Sequence, residues 1–218
     1  MNSNAFASEK KLLQFFEKSI ILHIAKSKGS PAKRGERTTM KNEVIDLLPE
    51  INDIKDEGLK KKVISVWQEA IKQGGWKIED LEKIPFTLVI PDCKINLIEH
   101  TRAVTHTALE IAKVILKFYK EQIKIDFDLL LAGGILHDVG KLLEYASMGG
   151  KITKSKTGKL LRHPFSGSAL AYKHGLPEEV VHIIATHAKE GDEGYRSIEA
   201  MIIHHADFIN FESLGGKV

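Results

Sequence analysis

Residues 129 to 145, LLLAGGILHDVGKLLEY, form an apolar run that ends in a His and an Asp side by side, His137 and Asp138, followed by Val139, Gly140 and Lys141. Neighbouring residues on a helix point about 100° apart, so one ion can take both only where the helix is tightly packed or broken. Gly133 and Gly134 allow close packing before the pair, and Gly140 allows a bend after it. A charged pair inside so apolar a run is expensive to bury unless it is paired or binds metal. The run therefore predicts a central helix that carries chemistry at its end.

Downstream, residues 146 to 162, ASMGGKITKSKTGKLLR, hold five basic residues, three glycines and no acid. The alternation in KITKSKTGKLL predicts a short hairpin or flap. Pro164 at a first helical position puts His163 at or near an N-cap, and that helix ends at Gly175. Pro177 opens the next helix, EEVVHIIATH, which closes at His187; His182 reads as an ordinary core or surface histidine. In the last helix, IEAMIIHHADFINF, Asp207 stands on an apolar face, and His204 is one turn away, where it could orient that carboxylate.

Upstream, residues 97 to 120, LIEHTRAVTHTALEIAKVILKFYK, predict a helix with Val104, Ala108, Ile111 and Ile115 on one face. His100 lies on that face in the first turn, whereas His106, about 240° around from it, faces outward. Residues 84 to 91, IPFTLVIP, predict an extended strap or edge strand. Residues 42 to 73 read as two short helices split at Pro49, the second ended by Gly74-Gly75. Residues 26 to 41, with six basic residues and one acid, read as a solvated loop, and residues 9 to 26 as an amphipathic helix. A boundary near residue 90 separates an N-terminal helical region, 1–90, from a second domain, 91–218.

The net charge of the 218-residue chain is only +3, so affinity for phosphate or nucleic acid has to come from local patches. Cys93 is the sole cysteine, which excludes an internal disulfide and suits a reducing compartment. No apolar run approaches the roughly 18 residues of a membrane span, and MNSNAFASEKK has no signal pattern. A cytoplasmic protein is expected.

Ten histidines, all but His23 beyond residue 99, prompt a search for metal ligands. The candidates are His100, His137, Asp138, His163, His187 and Asp207. Imidazole with carboxylate suits Fe, Mn, Zn, Ni or Co. His100, His137, Asp138 and Asp207 would hold one ion; His163 and His187 would complete a second, with Asp138 as the bridge. Two adjacent ions can activate a water and hold both oxygens of a phosphoryl group.

The stretches EHTRAVTHTALEIA, LLAGGILHDVGK, RHPFSGSAL, IIATH and EAMIIHHADFIN resemble the HD-domain superfamily of metal-dependent phosphohydrolases, over roughly residues 96 to 212. The resemblance implies an all-α helical bundle with His137, Asp138, His100 and Asp207 as metal ligands. His163 and His187 fall where two-metal members have extra ligands, and Lys141 matches a lysine that contacts substrate phosphate or orders the site. HPFSGSAL and GDEGY are similar to the HD-GYP phosphodiesterases, but Arg196 stands where that motif has proline and Ala188 replaces the second His of its pair. TKSKTGKLLRHP is similar, more loosely, to the HD modules of nucleases.

The expected function is hydrolysis of a phosphomonoester or phosphodiester by a metal-activated hydroxide, with one or two divalent transition-metal ions as cofactor. Asp138 and Lys141 would stand at the catalytic centre. Lys141, Lys151, Lys154, Lys156, Lys159 and Arg162 would draw in an anionic substrate, a nucleotide or nucleic-acid end. The alternatives are a non-catalytic nucleotide sensor, against which the intact ligand set argues, and a nucleic-acid-binding protein using residues 26–41 and 151–162.

Overall fold

A computed structural model describes residues 34 to 217, so the helix expected at residues 9 to 26 lies outside the described residues. Among those described, helices dominate: α1 (Arg34–Leu47), α2 (Glu57–Gly74), α3 (Leu97–Tyr119), α4 (Phe127–Leu136), α5 (Lys141–Glu144), α6 (His163–Lys173), α7 (Glu178–Thr186) and α8 (Ile198–Ser213). The only sheet among them is a hairpin of β1 (Tyr145–Met148) and β2 (Lys151–Lys154). The all-α class that the resemblance implies is the one observed.

The basic stretch expected to be a loop as far as residue 41 is helical from Arg34. Its Arg, Glu, Met and Lys are good helix formers whatever their charge, and they outweigh Gly35, one of the two glycines that with Pro31 and the charge suggest a loop. Pro49 then opens a short 3-10 turn, and Asp56 caps α2 by accepting from the Leu59 amide. α2 stops where Gly75 adopts φ 72°, a left-handed value that glycine reaches without cost. It buries Val63, Val66, Trp67, Ala70 and Ile71.

Residues 84 to 91 form a strap rather than a strand: Ile84 and Phe86 are buried, and pairing is confined to a bridge between Pro85 and Asn96. Asn96 and Glu99 then build a capping box at the start of α3. α4 is buried from Leu130 to Leu136. A Cβ on Gly133 would meet Ile183 of α7 at 2.7 Å, and one on Gly134 would meet Thr105 of α3 at 2.8 Å. The two glycines thus let α4 lie close between its neighbours.

One core cluster unites Leu48, Val63, Trp67 and Ile84 with Leu136, Leu142, Leu170 and Ile184. A second joins α3, α4 and α8 through Val104, Ala108, Leu130 and Ile203. In the hairpin Tyr145 pairs with Lys154 and Met148 with Lys151. Gly149 and Gly150, at φ 60° and 80°, make its tight turn. Within the expected KITKSKTGKLL alternation only Lys151–Lys154 is strand, because its partner lies upstream, in YASM; Thr157–Lys159 is a 3-10 turn. Among the described residues no helix is long and apolar enough to cross a membrane.

Candidate metal centre

α4 ends at Leu136, and a turn through residues 137 to 140 separates it from α5. The break at this turn is what brings the adjacent His137 and Asp138 to one centre. His137 Nδ1 lies 2.7 Å from the Gly134 carbonyl oxygen. His187 caps the C-terminal end of α7 in the same way, its Nδ1 being 2.7 Å from the Ile184 oxygen. His163, in the first turn of α6, has Nδ1 2.8 Å from Glu144 Oε2. Each of these oxygens can only accept, so in the neutral imidazoles Nδ1 carries the proton and Nε2 is bare.

These three bare nitrogens, and His100 Nε2, which faces the Asp207 carboxylate, converge on Asp138. His163 Nε2 and His187 Nε2 stand 3.2 and 3.7 Å from Asp138 Oδ1. His137 Nε2 and His100 Nε2 stand 3.4 and 3.6 Å from Asp138 Oδ2. Asp207, from α8, faces His100 Nε2 at 2.9 Å. Two groups result, His100–His137–Asp207 and Asp138–His163–His187, each with its ligand atoms within 4.8 Å of one another. All six residues singled out in the sequence are brought together.

These residues fit a cation. His163 Nε2 and His187 Nε2 are 3.2 Å apart, two lone pairs with no proton between them when both rings are neutral. Burial pushes His163 down to about 4, which keeps it neutral. His137 Nε2 and Asp138 Oδ1 are buried without any hydrogen-bond partner. Burial is the largest influence on His137 and would lower it, but the charge and hydrogen bond of Asp138, the Asp207 charge and the Gly134 carbonyl together raise that imidazole. Burial likewise opposes ionisation of Asp138, yet Lys141 and His137 hold it well below the usual carboxylate range. Four imidazoles and two carboxylates form a donor set that could hold a divalent first-row metal.

The predicted substrate lysines divide. Lys141 is buried, its Nζ bonded to Asp138 Oδ2. It lines a cavity of about 240 Å³ above the centre together with Lys154 and Arg162. Lys151, Lys156 and Lys159 are exposed and do not line it. The hairpin turn and the 3-10 turn after it point them elsewhere, whereas Lys189 and Lys217, which the sequence did not single out, line it. Lys154 lies 3.4 Å from Glu144, and Arg162 lies 3.0 Å from Glu190.

His204 does not orient Asp207. Its Nδ1 bonds the His187 carbonyl oxygen at 2.7 Å, and His100 takes the Asp207 carboxylate. His106 faces outward as expected and reaches Glu50 at 2.9 Å. Glu144 went unread, although an acid in the apolar run KLLEY carries the same signal as Asp138. Burial would raise its carboxyl, but hydrogen bonds from the His163 side chain and backbone bring it to about 2. Phe86 also went unread; its ring stacks on His100 with centroids 4.2 Å apart.

The model of the HD domain family matches residues 97–210. The chain is 33% identical over 165 residues to a dihydroneopterin 2′,3′-cyclic phosphate phosphodiesterase of Methanocaldococcus jannaschii, a match covering 71% of this chain and 63% of that one. It is 30% identical over 122 residues to the ribonuclease Y proteins of Desulforamulus reducens and Desulforudis audaxviator, covering 56% of this chain and 20% of each of those. The match thus spans less than two thirds of the first relative and a fifth of the others. No solved structure matches the chain significantly.

Proposed function

This chain belongs to the HD domain family, and from that premise we propose that it hydrolyses a phosphate ester or phosphodiester at a two-metal centre. The observation that carries the reading is the division of Asp138: Oδ1 faces His163 and His187, and Oδ2 faces His137 and His100. A carboxylate so placed could serve two cations, which His100, His137 and Asp207 would hold on one side and His163 and His187 on the other. A pair of divalent ions held there would supply a water that ionises near neutrality and a clamp for phosphoryl oxygens.

The protein's own groups do the rest. Glu144 holds the Nδ1 proton of His163 and keeps Nε2 turned to the centre. Lys141 neutralises Asp138 and reaches the cavity, where it meets a substrate phosphate. Asp207, with 15% of its side chain exposed against 1% for Asp138, marks the side from which substrate enters. The relatives named for a 2′,3′-cyclic phosphate and for RNA suggest a nucleotide or nucleic-acid end as the substrate. Iron, manganese, nickel, cobalt and zinc all suit the donors. Residues 91–218 carry this chemistry, and a cytoplasmic site of action suits it.

Elemental analysis of protein purified without chelator, together with assays on 2′,3′-cyclic nucleotides and RNA, tests the reading. Two first-row ions per chain and hydrolysis are expected, and Asp138→Ala should lose both. A metal-replete, active Asp138→Ala protein would overturn the assignment. So would a wild-type chain that stays inert and metal-free when supplied with manganese, iron or nickel.

A further inference from the structure

The cavity above the centre has a lining of two kinds, cationic and aromatic. Lys141, His163 and Asp207 form its floor, so both ligand groups reach it. Lys154 and Arg162 line it too, each partly exposed and each within reach of only one acid. The rest of the lining is largely aromatic. Phe208 and Phe211, one and four residues beyond Asp207 on α8, line it together with Phe86 of the strap. Phe86 and Phe211 meet edge to face with centroids 6.3 Å apart, an arrangement that rings favour. Phe208 and Phe211 are only partly buried, so they have surface to give to a ligand.

Cations beside a metal floor account for a phosphate. Phe86 is buried against His100, and one side of Phe208 packs on His204. The faces that Phe208 and Phe211 leave exposed are not accounted for, because a phosphate or a sugar gains little from them. A flat apolar face is what stacks on such rings, as nucleobases do on aromatic side chains. Size limits the occupant further. At about 240 Å³ the space falls just under the roughly 300–1,000 Å³ of pockets that hold drug-sized ligands. One ring with its sugar fills it, and a second nucleotide would lie outside. Modules that read RNA chains present their stacking rings on open surfaces instead.

We infer that this cavity recognises a single aromatic heterocycle carried by a small phosphate substrate, with Phe208 and Phe211 as its specificity determinants and Lys154 and Arg162 flanking the phosphate. The inference rests on the proposed phosphoesterase activity and narrows it to mononucleotide-sized substrates. The ring lies against α8, and that position brings the phosphate over Asp207 and His163.

The test compares metal-loaded protein on guanosine 2′,3′-cyclic phosphate, on glycerol 1,2-cyclic phosphate, which lacks the ring, and on a short RNA ending in a cyclic phosphate. The mononucleotide should have a kcat/KM at least about tenfold above either of the others, equivalent to 1.4 kcal/mol. Phe208→Leu and Phe211→Leu keep apolar volume and remove the ring. Each should cut the ratio of kcat/KM for the nucleotide to that for the glycerol ester at least about fivefold, through KM. Equal losses on both esters, or RNA as the best substrate, would overturn the inference while leaving the phosphoesterase reading intact. If no ester is hydrolysed, that reading fails by itself. Guanosine binding, followed by NMR line broadening, then decides the cavity: binding that the Leu variants weaken supports it, and its absence refutes it.

Discussion

Gly140 shows how one residue ties the ligand groups together. Its φ of −62° and ψ of −18° are open to any residue, so the bend expected from the sequence is not the reason for glycine. A Cβ there would lie 2.1 Å from the His163 carbonyl oxygen and 2.7 Å from the Gly167 amide nitrogen. Both are backbone atoms and cannot swing aside. Gly140→Ala therefore has to push α6, with His163, away from the turn that carries Asp138. A loss of about 3 kcal/mol is expected from such overpacking, read as a fall in the urea midpoint, and chelator should strip the His163–His187 ion first. A variant with the wild-type midpoint and both ions would show that the contact yields. His137 and Asp138 were legible because a polar group in an apolar run is costly unless it is used, and the other four proposed ligands from their place in the resemblance. The reason for Gly140 was not legible, because the atoms that demand it lie 23 and 27 residues further along the chain.

At the scale of elements, the end of α7 is held by side chains from the following loop and from α8. A helix terminus leaves carbonyls without intrahelical partners, and here three in a row are taken. Arg196 donates from Nε to the Thr186 oxygen at 2.8 Å and from Nη2 to the Ala188 oxygen at 3.1 Å, and His204 takes the His187 oxygen between them. The proposed ligand His187 therefore inherits its position from Arg196, which the sequence marked only as a departure from the HD-GYP pattern. Arg196→Ala should lower metal content from two ions towards one under mild chelation, with the circular dichroism unchanged; unchanged retention of both ions would refute the positioning role. A second junction fixes the 3-10 turn at Pro49 to α3, where buried Glu50 accepts from Arg102 and His106 at 2.8 and 2.9 Å. Burial would raise Glu50, but these bonds outweigh it and hold its pKa below the ordinary value of 4.5. As pH falls through that value the unfolded chain binds the proton first, so the contribution is present above it and lost below. Urea midpoints should show Glu50→Gln less stable than wild type by about 1–3 kcal/mol at pH 7, with the gap closing towards pH 4. A gap constant with pH would contradict this account. Helix existence was legible from periodicity, but these junctions join residues 52 and 56 apart, beyond what periodicity reports.

For the molecule as a whole, the role of the residues before the family match turns on two indoles. Trp67 of α2 donates to the Ile135 oxygen at 3.2 Å, and Trp76 donates to the Leu142 oxygen at 2.7 Å. These carbonyls lie on either side of the His137–Asp138 turn, where the break between α4 and α5 leaves backbone acceptors free of helical partners. Residues 57 to 76 thus hold the turn open from behind, and the core they share with α4 to α7 runs without a gap across residue 90. A fragment starting at residue 91 would keep every proposed ligand and lose that support. Removal of Trp67, Ile71, Leu81 and Ile84 strips large fully buried side chains from the core, each worth about 1.5–3 kcal/mol of burial, against a total stability of about 5–15 kcal/mol. The fragment is expected to be insoluble or molten and to bind no metal, whereas a chain starting at residue 39, where the compact unit begins, should melt cooperatively and bind two ions. Trp67→Phe keeps the ring volume and removes only the indole donor, so it isolates the turn from the core. It should leave the fold in place, cost about 1–3 kcal/mol for the unpaired carbonyl, and weaken metal retention. If the fragment from residue 91 folds and keeps both ions, the N-terminal helices are an accessory to the centre and not its scaffold.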